Sequence, residues 1–359
     1  ERANAWYAEQ EWPVGFNYVA ATAINQFEMW QAESFDPKTI DYEMSKAEEL
    51  GFNTVRIFLH DMVWEADPAG FKQRIDAFLG ICRSHGIKAT NGGRFENPQL
   101  GKQPESIQGI HNSQWIQSPG APSVNDPASW PRLERYVKDI LTTFRDDDRI
   151  LFWCLYNEPE NFKQGARSLP LLREVFKWGR EANPSQPLSS PLWICPGVHG
   201  TRSNFPIVSF LGENCDIMTY HCYYGPEEME TFISFMQQFG RPVVCQEYMG
   251  RPRSTFEEIM PILKRRGHQL GAHRRKVQLP SPMVEQGRRS RTRGLVPRHL
   301  PPRRHPVQPA GGGFHPLHDA RQNHELTANS TEYESSTQHI QPPAAGAGPL
   351  DGRLLQAVG

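Results

Sequence analysis

The chain has 359 residues, a formal net charge of -1 at pH 7, 38% hydrophobic residues and 11% aromatic residues. This length is sufficient for one large α/β domain or two small ones, and the balanced charge gives the chain as a whole no preference for a polyanionic partner. No run is long and apolar enough to span a bilayer, so we expect no membrane partner. The first residues lack the pattern of a signal peptide, which leaves the compartment open.

The six cysteines occur at irregular spacing, with no CxxC pair and no Cys/His spacing of a metal site. Three of them, Cys154, Cys222 and Cys245, stand within or beside apolar runs of strand length. We therefore predict that the cysteines are mainly free and buried, and we expect no metal held by them.

Apolar strand-like runs alternate with amphipathic helical segments along the first 265 residues. The predicted strands are residues 12–18, 53–60, 87–90, 150–156, 187–193, 214–225 and 241–248. The predicted helices are residues 3–10, 37–50, 70–85, 130–144, 169–182, 226–239 and 254–265. The last helix has Ser254 as N-cap and Glu257 three residues on, which is the pattern of a capping box. Strict alternation of this kind predicts a parallel sheet covered by helices.

The fourth predicted strand ends at Asn157-Glu158-Pro159. Its continuous apolar run is typical of a parallel strand buried on both faces. Pro159 has no N–H for a strand ladder and should push Glu158 toward an extended conformation, so the strand ends here. A carboxylate at the C-terminal tip of such a strand lies where α/β barrels keep their chemistry.

The seventh predicted strand ends in a second glutamate, Glu247. It follows Glu158 by about ninety residues, or roughly three strand–helix units of ~30 residues. Both glutamates therefore lie at the same end of their strands, and in an eight-stranded barrel those ends meet at one mouth. The sequence thus predicts an α/β protein, a (β/α)8 barrel, with two facing carboxylates. Glycoside hydrolysis uses such a pair: one protonates the leaving oxygen and the other attacks the anomeric carbon.

Four further residues are predicted to support the two glutamates: Arg56, Asn157, His221 and Tyr223. Arg56 and Tyr223 would hold Glu247 ionised and oriented, and the Asn157 amide would bond a sugar hydroxyl. Residues 221 and 223 point the same way on an extended strand, which favours a shared site. From the residues alone, a plain salt bridge for Arg56 and strand-end packing for the other two are open alternatives.

Together these motifs resemble the retaining clan of (β/α)8 glycoside hydrolases, and glycoside hydrolase family 5, the cellulase and mannanase family, is the nearest match over about residues 12–265. The resemblance implies an enzyme that cleaves β-linked poly- or oligosaccharides by double displacement, with Glu158 as acid/base and Glu247 as nucleophile. It also implies a carbohydrate substrate, no metal or cofactor, a monomer, and a secreted or periplasmic location. The candidate sugar contacts are Glu28, Trp30, His60, Trp115 and Trp193, and a core or loop-packing role is the alternative for each Trp.

The C-terminal region departs from this family. The family would have an apolar eighth strand that ends in a Trp beneath the bound sugar, but here the chain becomes rich in Arg and Pro from Arg265 to His305. We predict a barrel domain over residues 1–265 that lacks its eighth strand, followed by a disordered tail over residues 266–359. Because a missing strand exposes two sheet edges and opens the core, a catalytically impaired homologue that binds glycans is the alternative function.

A shifted reading frame is our first hypothesis for this departure. Gly267-His-Gln-Leu-Gly271 can be encoded GGG CAT CAA CTG GGG, and reading one base later gives Gly-Ile-Asn-Trp, the expected strand end. The same shift at residues 294–300 permits Val-Trp-Phe-His-Asp-Ile-Phe, an amphipathic segment. The nucleotide sequence of the gene tests this hypothesis. The second interpretation is a nucleic-acid-binding basic tail, which a steep salt dependence of binding to DNA or RNA would support.

Overall fold

Short parallel strands form a sheet in the computed structural model, which describes residues 1–91, 100–105, 114–161, 164–200, 205–269, 273–275 and 277–278. The strands are β1 Gly15–Asn17, β2 Thr54–Ile57, β3 Lys88–Asn91, β4 Ile150–Cys154, β5 Leu188–Ser189, β6 Pro191–Leu192, β7 Met218–His221, β8 Val243–Glu247, β9 His273–Arg275 and β10 Val277–Gln278. They pair in the order β10-β1-β2-β3-β4-β5 and β6-β7-β8-β9. All pairings are parallel, as the strand–helix alternation of the sequence predicts.

Two positions of the sheet are each made by a pair of split strands. Ser190 separates β5 from β6, so residues 188–192 pair with β4 on one side and with β7 on the other. In the same way β9 pairs with β8, and β10, a few residues later, pairs with β1. The strands therefore close a ring of eight positions, and the predicted (β/α)8 barrel is confirmed.

The eighth position agrees in part with the sequence prediction that the apolar strand of the family is lost. Among the described residues, two short segments, β9 and β10, pair at this position, and they belong to a basic stretch without the apolar pattern of that strand. Ladder hydrogen bonds use backbone groups, and the two open edges of a seven-strand sheet leave N–H and C=O groups unpaired, so the following segment pairs regardless of its side chains. Most of the predicted tail lies outside the described residues.

The helices cover the outside of the sheet. They are α1 Arg2–Ala8, α2 Gln26–Met29, α3 Pro37–Glu49, α4 Asp61–Ala66, α5 Pro68–Ser84, α6 Ala121–Val124, α7 Trp130–Thr143, α8 Leu169–Ala182, α9 Pro196–His199, α10 Phe205–Asn214, α11 Pro226–Gln237 and α12 Phe256–Gln269, with 3-10 turns at Pro127–Ser129 and Gly165–Ser168. All seven predicted helices are present. The predicted domain boundary after residue 265 falls within α12. None of the described helices is both long and apolar enough to cross a membrane.

The N-cap of α12 is Thr255, one residue later than predicted. The Glu258 N–H donates to Thr255 Oγ1 at 3.4 Å, and the Thr255 hydroxyl donates to Glu258 Oε2 at 3.1 Å. Ser254 instead accepts the Met249 N–H at 3.2 Å and so fixes the loop after β8. Since residues 254 and 255 both precede a glutamate by three positions, the sequence alone did not separate the two registers.

The core lies between the sheet and the helices, with a smaller cluster at the opposite end of the strands from the predicted mouth. That cluster comprises Leu151, Phe152, Ile217 and Val244, and α1 packs on it through Ala3 and Trp6. These positions are at or near the N-terminal starts of β4, β7 and β8, so α1 covers that end of the barrel. The six cysteines all lie among the described residues, are buried and form no disulfide, as predicted.

His85 gives the outer layer a pH-dependent contact between two helices. Its ring nitrogens lie 2.8 Å from Glu48 Oε2 and 2.9 Å from Asp41 Oδ1, both on α3. The bond to Glu48 and then that to Asp41 raise the pKa of His85 above 6.5. Because the folded pKa is raised, this stabilisation is fully present below pH 6.5 and is lost as pH rises through the folded pKa.

We therefore expect His85→Gln to lower the melting temperature at pH 6 and to leave it unchanged at pH 9. Both carboxylates are more than half exposed, so solvent screening limits the effect at pH 6 to about 1 kcal/mol or less. Thermal melts of both proteins at the two pH values measure it. An equal loss of melting temperature at pH 6 and pH 9 would show that the His85 ring stabilises the fold by packing rather than by charge.

Candidate active site

The predicted site residues lie at one end of the barrel because all of its strands run parallel. Arg56 is in β2, Asn157 and Glu158 lie in the loop just after β4, and His221 and Glu247 are the last residues of β7 and β8. A register shift between Tyr220 and His221 sets His221 directly opposite Glu247. Irregularities of this kind re-aim side chains near active sites.

The two predicted catalytic carboxylates share one pocket. A carboxylate oxygen of Glu158, a ring nitrogen of His221 and a carboxylate oxygen of Glu247 all lie within 4.8 Å of one another. All three residues are buried. Residues that are 89 positions apart in the sequence, 247 minus 158, therefore meet at a single point.

The side chain of Arg56 connects β2 to this pocket. This side chain is completely buried. The guanidinium nitrogen Nη1 donates to Glu247 Oε1 and, at 3.1 Å, to Asn17 Oδ1. The nitrogen Nη2 donates to Asn157 Oδ1 at 2.5 Å. Burial lowers the pKa of Arg56, but the charges of Glu247 and Cys154 and the hydrogen bonds to them together outweigh it, and the pKa is raised. The Arg56 cation thus faces the Glu247 carboxylate.

Tyr223 supplies the second donor to Glu247. Its hydroxyl bonds to Glu247 Oε2, so each carboxylate oxygen has a hydrogen-bond partner. Burial, followed by the charges of Glu247 and Glu158, raises the pKa of Tyr223 well above 10. Tyr223 therefore stays protonated and donates, which stabilises the ionised form of the carboxylate.

The backbone of Glu158 is left-handed, with a φ of 46°, where the sequence predicts an extended conformation before Pro159. This region costs a non-glycine residue roughly 1–2 kcal/mol. Its carboxylate is held on both sides, since Oε2 accepts the Asn161 amide at 2.8 Å and Oε1 bonds His221 Nδ1. Such strain concentrates at functional positions, where surrounding contacts fix it.

His221 lies between the two carboxylates. Nδ1 bonds Glu158, and Nε2 is 3.6 Å from Glu247 Oε1. These three side chains have the donor types of a divalent metal site. The Arg56 guanidinium already bonds the same Glu247 oxygen, however, and a metal there would lie beside a fixed positive charge. The positive charge of Arg56 therefore disfavours a metal ion at this point.

Three of the five predicted sugar contacts do not present a surface to a ligand. Trp30 is 0% exposed, donates its indole N–H to Phe58 O at 2.8 Å and packs against core phenylalanines. Glu28 accepts the Ile24 N–H at 2.6 Å at the turn that begins α2. His60 is also 0% exposed, and burial lowers its pKa to about 4. Trp30 and Glu28 belong to the loop after β1, which folds into the core, whereas His60 follows β2 and caps the N-terminus of α4.

The other two, Trp115 and Trp193, are half-buried. Trp115 packs edge-on against Phe58 at 4.8 Å, and Phe58 in turn lies under the Arg56 guanidinium at 4.6 Å. Trp193 stacks on His199 at 5.9 Å and 25°. The Trp115 indole therefore connects to Arg56 through Phe58.

Sequence reasoning missed two residues of the site, Asn17 and Glu160. Asn17 ends β1 and accepts from Arg56, and its amide donates to Gln246 O at 3.1 Å. Glu160 is 3% exposed, and burial raises its pKa to about 7. Polar Asn17 at the end of a strand was a usable signal, whereas Glu160 follows Pro159 and resembles an ordinary loop residue.

No protein-family model and no curated protein matches the sequence. Among solved structures, the chain is similar to the GH5_18 protein of Streptomyces cattleya crystallised with GlcNAc, at 15% identity, a TM-score of 0.55, and coverage of 80% of this chain and 82% of that one. It is also similar to the exo-β-1,4-mannosidase of Opitutaceae bacterium strain TAV5, at 20% identity, a TM-score of 0.55, and coverage of 76% and 53%. A third is the endo-1,4-β-mannanase of Rhizomucor miehei, at 13% identity, a TM-score of 0.54, and coverage of 76% and 87%. These likenesses show that the chain has the barrel fold of glycoside hydrolases.

Proposed function

We propose that the protein is a retaining glycoside hydrolase of the family 5 type, which cleaves β-linked oligo- or polysaccharides with Glu247 as nucleophile and Glu158 as acid/base. The observation that carries the proposal is the approach of one oxygen of each carboxylate to within 4.8 Å. Retaining enzymes hold the pair ~5–5.5 Å apart, whereas inverting enzymes leave ~6.5–9.5 Å for a water molecule. The present spacing supports retention.

In the first step, the Glu247 carboxylate attacks the anomeric carbon, and the bond from that carbon to the leaving oxygen breaks. Glu158 gives its proton to the leaving oxygen, so a glycosyl ester forms on Glu247 and an alcohol departs. Arg56 and Tyr223 favour the reactive ionised form of Glu247 before attack.

In the second step, Glu158 is ionised and acts as a base. It removes a proton from a water molecule that attacks the anomeric carbon from the side the leaving group has vacated. The ester bond to Glu247 breaks, both glutamates return to their starting states, and the sugar keeps its original configuration.

His221 links the protonation states of the two glutamates. When its proton is on Nε2, Nδ1 accepts from a protonated Glu158 while the N–H faces Glu247 at 3.6 Å. This tautomer fits the starting state of the first step, in which Glu158 is neutral and Glu247 is charged. The proposal therefore assigns His221 to orienting the acid/base and to keeping the two carboxyl groups in opposite states.

A glycan screen with product stereochemistry tests the proposal. Because the similar solved structures include a β-mannosidase and a β-mannanase, β-1,4-mannan and mannooligosaccharides come first, followed by β-1,4-glucan and xylan. We expect turnover of at least one β-linked substrate, and proton NMR of the fresh product should show the β-anomer before mutarotation. An α-anomer as first product would contradict retention, and turnover of none would contradict the hydrolase.

A glycan-binding protein without turnover is the second candidate, because the segment in the eighth position is basic and lacks the apolar pattern of the family strand. Binding of mannooligosaccharides with no release of reducing sugar would support it. Replacement of Glu247 by Gln separates the two functions, since it abolishes hydrolysis in an enzyme and leaves the affinity of a pure binder intact.

A further inference from the structure

Glu160 belongs to the loop of the proposed acid/base but does not face the sugar. It is 3% exposed, and its Oε1 accepts two successive backbone N–H groups, from Trp193 at 2.7 Å and from Ile194 at 3.0 Å. Its Oε2 is buried and has no hydrogen-bond partner among the described residues. The loop after β4 is thereby tied to the segment after β6, which begins with Trp193.

The tie extends further around the barrel mouth. The Trp193 indole stacks on the ring of His199, whose Nε2 lies 3.1 Å from the Tyr224 hydroxyl. Tyr224 directly follows Tyr223, the donor to the nucleophile. A continuous series of contacts therefore connects the acid/base loop with the segment that carries Tyr223.

Burial of a carboxyl group costs free energy, so a buried glutamate is expected where its hydrogen bonds are required. Burial, with a smaller contribution from the charge of Glu158, raises the pKa of Glu160 to about 7 against the lowering effect of backbone N–H donors, which include those of Ile194 and Trp193. An amide oxygen accepts both N–H groups equally well and carries no charge. Position 160 therefore requires one acceptor oxygen, held at the distance from the backbone that a Glu or Gln side chain provides.

We propose that Glu160 is a positioning residue that fixes the Trp193 segment beside the acid/base loop, so that the Trp193 indole supports the sugar on the leaving-group side of the cleaved bond. This inference rests on the proposed function, because the leaving-group side is the side on which Glu158 donates its proton. The half-buried indole provides the apolar face on which a sugar ring packs.

Three variants and two substrates test the inference. Glu160→Ala removes the acceptor, Glu160→Asp retracts it by one methylene group, and Glu160→Gln retains it. With mannotetraose, whose leaving group contains sugars, we expect Ala and Asp to raise KM about tenfold. With 4-nitrophenyl β-mannoside, whose leaving group contains none, KM should stay within about twofold. Gln should restore wild-type KM for both substrates.

Amide hydrogen exchange gives a readout that does not need turnover. The peptide that contains Trp193 and Ile194 should exchange at least tenfold faster in Glu160→Ala and Glu160→Asp, and at the wild-type rate in Glu160→Gln. Unchanged exchange in the Ala and Asp variants, or an equal rise of KM for both substrates, would overturn the inference. If the wild-type chain turned over none of the β-linked substrates of the glycan screen, the proposed function would fail, whereas exchange together with mannotetraose affinity from Trp fluorescence would still decide the role of Glu160.

Discussion

Replacing Glu247 by Gln should lower kcat on β-linked glycans by on the order of 10⁴-fold or more, the size expected when a covalent nucleophile is removed. The amide has nearly the same shape, and its oxygen still accepts from Arg56 while its NH2 group donates to the Tyr223 hydroxyl oxygen, but it does not attack the anomeric carbon. Steady-state kinetics measure the loss. Glu213→Gln, the same chemical change at an exposed glutamate of α10, is the matched control and should leave kcat unchanged.

Replacing Glu158 by Gln should separate the two roles. Loss of a general acid costs about 10²–10⁴-fold on an unactivated glycan. The loss should be much smaller for the first step on a 2,4-dinitrophenyl glycoside, because this leaving group departs without a proton. Glu247→Gln, in contrast, should be inactive toward both substrates. If the two variants responded alike to leaving-group activation, the assignment of acid/base and nucleophile would be wrong.

The sequence located the two glutamates because their signal is local and periodic. An apolar run that stops at Glu158, and another that stops at Glu247, indicate strand ends, and the ~30-residue repeat places both ends at one mouth. These features depend only on strand burial and chain direction. The barrel and the central pair were therefore predictable from the residues alone.

The roles of the predicted sugar contacts were harder to predict from the sequence because they depend on how loops fold. Trp30 and Trp193 are both aromatic residues near strand ends, yet one is fully buried and the other half-exposed. No short-range pattern separates them, since the difference arises from which loop folds into the core. Glu160 was missed for the same reason, as its burial comes from the distant segment that begins at Trp193. Likewise, the pairing at the eighth position uses backbone groups that leave no side-chain pattern.

Replacing Arg56 by Met should lower the free energy of unfolding by about 3–5 kcal/mol, the cost of breaking a buried ion pair from one side, and should also lower kcat. Three acceptors lose their donor, on Asn17, Asn157 and Glu247. Glu247, 7% exposed, would keep a buried charge with no cation beside it. Denaturant unfolding at pH 7 measures the stability, and Arg56→Lys, which keeps the charge but not the fork of donors, should lose less.

The dependence of this loss on pH and on Glu247 identifies its cause. An unpaired buried carboxyl group has a raised pKa, so its destabilising effect is present above the unfolded value of about 4.3 and fades as pH falls through the folded pKa. The deficit of Arg56→Met should therefore shrink between pH 7 and pH 5. The double variant Arg56→Met/Glu247→Gln should be more stable at pH 7 than the two single effects predict when added. Strict additivity would mean that packing around Arg56, and not its ion pair with Glu247, stabilises the site. The proposal that Arg56 keeps the nucleophile ionised would then lose its support.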